Sequence, residues 1–127
     1  MSHLKKTILP ILLTGIWLNI SITIGWLFIL EGYWIEKYNS LNLVFPTGLT
    51  NNIVWIIWGF MLATIVFILS KKFSLLQTTF ISWFVAFAMM WVIVWNIGVL
   101  PTGMLLFNIP NTLFVTYIGT LICKRLT

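Results

Sequence analysis

Four long apolar stretches, separated by short polar or charged segments, dominate the pattern of the chain. They run from about Thr7 to Leu30, from Asn52 to Leu69, from Leu75 to Leu100 and from Met104 to Cys123. Each approaches or exceeds the roughly 20 residues that an α-helix needs to cross about 30 Å of hydrocarbon. None contains a charged residue or a histidine, and none alternates as a barrel strand would. The pattern predicts an all-α integral membrane protein, a bundle of four transmembrane helices that forms one domain over residues 1–127.

The cations lie almost entirely at one end of these predicted helices. Cations precede the first helix, separate the second from the third, and follow the fourth: Lys5, Lys6, Lys71, Lys72, Lys124 and Arg125. The two acids, Glu31 and Glu36, fall with Lys37 in the first outer loop, which we expect over about residues 31–51. Because cations favour the cytoplasmic side of a membrane, we expect both termini to be cytoplasmic. The compartment expected is a bacterial inner (plasma) membrane.

A six-residue pattern recurs just before the second and fourth helices. Residues 44–49 read Val-Phe-Pro-Thr-Gly-Leu and residues 99–104 read Val-Leu-Pro-Thr-Gly-Met. Trp17 also follows Lys5 at the interval that separates Trp83 from Lys71. Two duplicated helical hairpins, related by an axis along the membrane normal, would explain both repeats. The alternative is that Pro-Thr-Gly suits any tight turn into a helix.

Composition supports lipid as the surrounding solvent. Of the 127 residues, 61% are hydrophobic and 7% are charged, whereas soluble domains have about 45–50% and about 25%. The net charge of +5 raises the question of nucleic acid, but the cations occur as short pairs beside apolar runs and not as a basic surface. We therefore expect the lipid bilayer as a partner and no nucleic acid.

The sequence contains few groups that could carry out chemistry. His3 is the only histidine, Cys123 is the only cysteine, and the two acids lie in the first loop. These residues suggest neither a nucleophile–base pair nor a cluster of metal ligands. Ion-coupled carriers usually need an intramembrane carboxylate, and the apolar stretches contain none. We expect a protein that is not an enzyme, with no catalytic residue, no metal and no cofactor.

Tryptophan and asparagine residues concentrate in the outer half of the predicted bundle. This outer Trp/Asn set comprises Trp26, Trp55, Trp58, Trp91, Trp95, Asn96, Asn108 and Asn111. Pro110 should kink the fourth helix and free the Leu106 carbonyl, so the buried amides should meet each other, that carbonyl, water or a ligand. One interpretation is an interfacial belt with interhelical hydrogen bonds. The other is a cavity for a lipid or a small apolar ligand.

Small residues at a spacing of four recur on every predicted helix. They allow helix backbones to approach closely, and Asn19 adds an internal hydrogen-bonding group. The predicted helix-packing residues are Asn19, Ser21, Gly25, Gly59, Ala63, Ser82, Ala86, Thr116 and Thr120. The pattern indicates bundling without deciding between contacts inside one chain and contacts between protomers.

Two functional hypotheses follow. In the first, the chain is a non-enzymatic membrane module that associates with itself or with another membrane protein. In the second, it is a binder, facilitator or channel for a small apolar or amphipathic molecule, which would occupy a cavity lined by the outer Trp/Asn set.

Overall fold

Four long helices make up the fold. In a computed structural model, which describes residues 2–127, they are α1 (His3–Ser40), α2 (Leu49–Ser70), α3 (Leu75–Asn96) and α4 (Leu105–Leu126). A 3₁₀ turn, Thr102–Met104, leads into α4. Each helix is long and apolar enough to span a membrane, and the described residues contain no strand. The prediction of an all-helical chain with four candidate membrane spans is confirmed.

The first predicted outer loop is largely helical. We expected a loop over about residues 31–51, but α1 continues to Ser40 and the connection to α2 is limited to residues 41–48. The acids mark where the chain becomes polar, but a helix does not have to end there. Tyr33 and Trp34 extend the packing surface of α1 beyond the apolar stretch. The helix ends where Asn42 adopts a φ of 59° and the Leu43 amide donates to the Tyr38 carbonyl, which is a Schellman cap.

The other helices differ from the prediction by a few residues. Helix α2 begins at Leu49, because the Asn51 side chain accepts a hydrogen bond from the Gly48 amide just ahead of it. Helix α3 ends at Asn96 and not at Leu100. Its end is a second Schellman cap, in which Gly98 has a φ of 82° and the Val99 amide donates to the Val94 carbonyl.

Two of the helices contain a π-turn, which the sequence analysis did not anticipate. The turns cover Trp26–Leu30 in α1 and Phe84–Ala88 in α3. A π-turn inserts one residue into the helix. In a regular helix, residues seven positions apart are almost two full turns apart and share a face. Across a π-turn, residues eight positions apart share a face instead. Trp26 and Trp34 therefore share a face of α1, and Trp83 and Trp91 share a face of α3.

Helix α4 contacts each of the other three helices, as α2 also does. Its buried face consists of small and polar residues: Asn108, Thr112, Val115, Thr116, Gly119, Thr120 and Cys123. The hydroxyls of Thr112, Thr116 and Thr120 each donate to the carbonyl four residues earlier, at 2.7–2.8 Å. Because carbonyl groups of α4 accept these hydrogen bonds, the hydroxyl-bearing face of α4 can be buried.

Two tryptophans attach α4 to its neighbours. Trp17 Nε1 donates to the Val115 carbonyl at 2.9 Å, and Trp83 Nε1 donates to Thr112 Oγ1 at 2.8 Å. A two-fold axis relating the two hairpins would direct one tryptophan to α4 and the other to α2. These two bonds do not follow that symmetry, so duplication stays a prediction.

Helices α1 and α2 approach closely through small residues. Asn19 Nδ2 donates to the Gly15 carbonyl at 2.9 Å and to the Ile56 carbonyl at 3.4 Å, which joins the two helices. A Cβ atom at Gly59 would lie 2.7 Å from Asn19 Nδ2, and one at Gly15 would overlap the Phe60 ring. This contact depends on the absence of side chains at both glycines.

The remaining small residues predicted to pack helices occupy varied positions. Ala63, Gly25, Ser82, Thr116 and Thr120 are buried. Ser21 is half-buried and donates to the Trp17 carbonyl at 2.7 Å, and Ala86 is half-buried. Most of these residues therefore face the interior of a single chain.

Candidate functional site

The outer Trp/Asn set does not converge on one cavity. Trp55 and Trp95 are 47% and 64% exposed, and Asn96 is also exposed. Trp26 is half-buried and stacks on Phe45 of the first connection, with ring centroids 5.0 Å apart. Of the eight residues, only Trp58, Trp91, Asn108 and Asn111 remain as candidates for a shared interior site.

The interior tryptophans belong to a continuous aromatic ladder between α2 and α3. Its members, in order of ring contact, are Trp55, Trp58, Phe87, Trp91 and Trp83. Consecutive ring centroids are 5.5–6.0 Å apart and most pairs meet edge-to-face, the arrangement that aromatic rings prefer. Phe87 and Trp91 are buried. These two buried rings are therefore packed core, while Trp55 extends the ladder to the exposed side of α2.

The two amides of α4 have different environments. Asn108 is 3% exposed, and its Oδ1 atom is buried without a hydrogen-bond partner. Asn111 is half-buried, with its Nδ2 atom against Gly25 of α1. The expected meeting of these amides with each other or with the Leu106 carbonyl does not occur among the described residues. Asn108 is the one member of the outer Trp/Asn set that presents an unused buried acceptor.

A second aromatic cluster, which the sequence analysis missed, attaches the first connection to α1. Phe45 is surrounded by Trp26, Trp34 and Tyr38, with centroid distances of 4.9–5.9 Å. The π-turn in α1 is what places Trp26 and Trp34 on one face. The only signal in the sequence was the spacing of eight between these tryptophans, which in a regular helix would not put them in line.

An apolar groove runs between α2 and α3 on the outside of the bundle. Its volume is about 490 Å³. Its walls are Trp58, Met61, Leu62 and Ile65 from α2 and Val85, Ala86, Met89, Met90, Ile93 and Val94 from α3. Met61 and Ile93 are 62% and 63% exposed. The groove therefore opens away from the bundle axis, where a lipid chain or another helix would meet it.

Polar groups form a clamp at the opposite, cation-bearing end. Lys124 Nζ donates to the Ser70 carbonyl at 2.9 Å, which ties the end of α4 to the end of α2. Ser70 Oγ lies 3.7 Å from the buried Cys123 Sγ. Lys71 Nζ sits 4.4 Å above the centre of the Phe67 ring. These contacts hold the cations of the α2–α3 turn and of the C-terminal segment at the same end of the bundle.

Residues 2–127 contain no group of three or more acidic, cysteine or histidine side chains that could hold a metal ion. Glu31 and Glu36 line a shallow depression of about 450 Å³ with Leu27, Ile35 and Asn39 on the outer part of α1. The buried side-chain oxygens without a hydrogen-bond partner are Thr14 Oγ1, Ser82 Oγ and Asn108 Oδ1. Of these residues only Asn108 belongs to the outer Trp/Asn set, and its acceptor and the apolar groove are the features on which a function can be built.

Comparison with protein-family models, with curated proteins and with solved structures finds no match to this chain.

Proposed function

We propose that the chain is a non-enzymatic integral membrane module that associates with a second copy of itself or with another membrane protein. Both termini and the α2–α3 turn would face the cytoplasm of a bacterial cell. The observation that carries the proposal is the apolar groove between α2 and α3. The function rests on shape and packing and not on a reactive group.

The charge distribution supports the orientation. Six of the seven cations stand at the start of α1, at the α2–α3 turn and at the end of α4, which lie at one end of the bundle. The two acids are at the opposite end, on α1. Such an asymmetry is what the positive-inside rule expects of a multi-pass protein with cytoplasmic termini.

The shape of the α2–α3 surface supports association with another helix. Beside the groove, exposed side chains on α2 recur every three or four residues and form a ridge: Ile53, Ile57, Met61, Ile65 and Ile68. Helices pack by inserting such ridges into grooves. A surface that offers both features can bind its own copy across a two-fold axis. Three methionines in the groove walls add side chains that adapt to a partner's shape.

Cysteine cross-linking in native membranes tests this association. In a Cys123→Ser background, Met61→Cys and Met89→Cys should each give a covalent dimer with a short bismaleimide, because each residue faces the proposed contact. Ile20→Cys, which is also exposed but lies on α1, is the control and should stay monomeric. Equal dimer yields at all three positions, or no dimer from either groove position, would show that the chain does not associate with itself through this groove. Affinity purification after mild extraction would then have to recover a different membrane protein, or the proposal fails as a whole.

The second candidate function, binding of a small apolar or amphipathic molecule, is favoured by a single observation. That observation is the buried Oδ1 of Asn108, which has no hydrogen-bond donor. The cavity first expected from the full outer Trp/Asn set has no support, since four of its members point elsewhere.

A further inference from the structure

Asn108 lies at the same depth as both π-turns. On α4, Thr112 faces Trp83 of α3. The two helices are antiparallel, so one turn back from Thr112 on α4 and one turn forward from Trp83 on α3 lead to the same level. This places Asn108 opposite residue 87, inside the π-turn Phe84–Ala88. On the other side, Asn111 lies against Gly25 of α1. One turn outward brings Asn108 level with the π-turn Trp26–Leu30, and that turn also contacts α4.

Two widened turns therefore lie at the level of the same amide, one on α1 and one on α3. π-turns are rare, and they frequently mark functional positions in helices. Each is a departure from regular packing, and two at one depth are hard to attribute to separate local causes. The coincidence singles out the level of Asn108 within the bundle.

The donors closest to Asn108 in the hydrogen-bond network are already used. The Trp83 indole donates to Thr112 Oγ1, and the Thr112 hydroxyl donates to the backbone carbonyls of Asn108 and Ile109. Neither can also serve the side-chain oxygen of Asn108. A buried carbonyl oxygen without a donor destabilises the fold, so a donor from outside the chain would relieve that cost.

We propose that Asn108 Oδ1 is the acceptor of an internal binding site for a neutral hydroxyl group, supplied by a water molecule or by the head of a small amphipathic alcohol. The hydroxyl donates a hydrogen bond to Oδ1, at the level where the π-turns interrupt the regular packing of α1 and α3. Neutrality follows from the surroundings: α2, α3 and α4 carry no charge at this depth, and Glu31, which follows the π-turn of α1, lines the separate depression with Leu27 and Ile35. A buried ion would therefore have no counter-charge. The site is inside a single bundle and does not depend on the proposed association.

Thermal unfolding of Asn108→Leu in detergent gives the first test, because leucine has nearly the same shape without the acceptor. If a hydroxyl is bound, the substitution removes its hydrogen bond and Tm should fall by roughly 4 °C. If the oxygen has no partner, the substitution removes an unpaired polar atom and Tm should rise. Asn96→Leu, at an exposed amide, is the control and should leave Tm unchanged. A Tm of Asn108→Leu that equals or exceeds the wild-type value would overturn the site.

Nuclear Overhauser measurements on the wild-type chain supply the second test and identify the source of the hydroxyl. Cross-peaks from the Asn108 side-chain amide to water protons would show bound water. Cross-peaks to the methylene protons of added 1-hexanol, with loss of the water signal, would show an alcohol site. Absence of both would overturn the proposal even if Tm fell, because packing alone would then explain the loss. In the Met61→Cys and Cys123→Ser background, adding Asn108→Leu should leave the cross-linked dimer yield unchanged, which separates this site from the association surface.

Discussion

Replacing Trp91 by alanine should lower the free energy of unfolding by about 3 kcal/mol. Trp91 is 7% exposed, and its ring contacts those of Trp83 and Phe87 at 6.0 Å. In a bilayer the unfolded reference is also apolar, so the loss comes mainly from dispersion contacts and the cavity left behind. Equilibrium unfolding from mild detergent by added SDS would measure it.

Trp95→Ala is the matched control, since it removes the same side chain one turn further along α3. Trp95 is 64% exposed and should contribute less than about 1 kcal/mol to folding. Equal losses for Trp91→Ala and Trp95→Ala would mean that the aromatic ladder does not stabilise the α2–α3 contact.

Gly15→Ala should destabilise the α1–α2 contact by about 2 kcal/mol. The added methyl group would overlap the Phe60 ring and lie 3.1 Å from its Cγ atom. To make room, the ring must swing away or the helices must separate, and separation would also stretch the bond from Asn19 to the Ile56 carbonyl. The same SDS unfolding measurement would report the change.

Two further variants make this prediction specific. Phe60→Ala in the Gly15→Ala background should recover much of the lost stability, because it removes the overlapping ring. Gly32→Ala on the same helix meets nothing within 4 Å and should be neutral or slightly stabilising, since alanine favours helix more than glycine does. If Gly15→Ala were as harmless as Gly32→Ala, the described proximity of α1 and α2 would be wrong.

The four helices could be predicted because each is a long apolar run, and run length is a property of the sequence alone. The continuation of α1 through Glu31 and Glu36 could not. Charges show where a chain leaves the hydrocarbon, but a helix ends only where a cap forms, here at Asn42. That cap depends on backbone geometry that few residues signal in advance.

The candidate site shows a different limit. Depth was predictable from topology, but which face each side chain occupies was not. Trp91 and Trp95 are four apart, a spacing that places two side chains on one face of a helix, yet one is buried and the other is exposed. On the register set by Trp83 and Thr112, Trp91 stands opposite Met104, the last residue before α4. Trp95 lies one turn beyond the start of α4 and has no helix there to pack against.

The π-turns account for the rest of the difference. Each shifts the helical register by one residue, which rotates every later side chain by about 100° relative to a regular helix. In α1 the shift brings Trp34 into line with Trp26, so that both rings contact Phe45. Apolar π-turn residues such as Phe84–Ala88 carry no residue type that distinguishes them from ordinary helix.

Labelling of single cysteines with a membrane-impermeant maleimide in intact cells would test the central claim, that all four helices cross the bilayer with the cation-bearing ends on one side. If the four helices cross in this way, Asn39→Cys and Thr102→Cys should react in intact cells, whereas Ser74→Cys and Thr127→Cys should react only after permeabilisation. Reaction of Ser74→Cys and Thr127→Cys on opposite sides of the membrane would contradict it, because α3 and α4 could not then form a hairpin that crosses the bilayer twice.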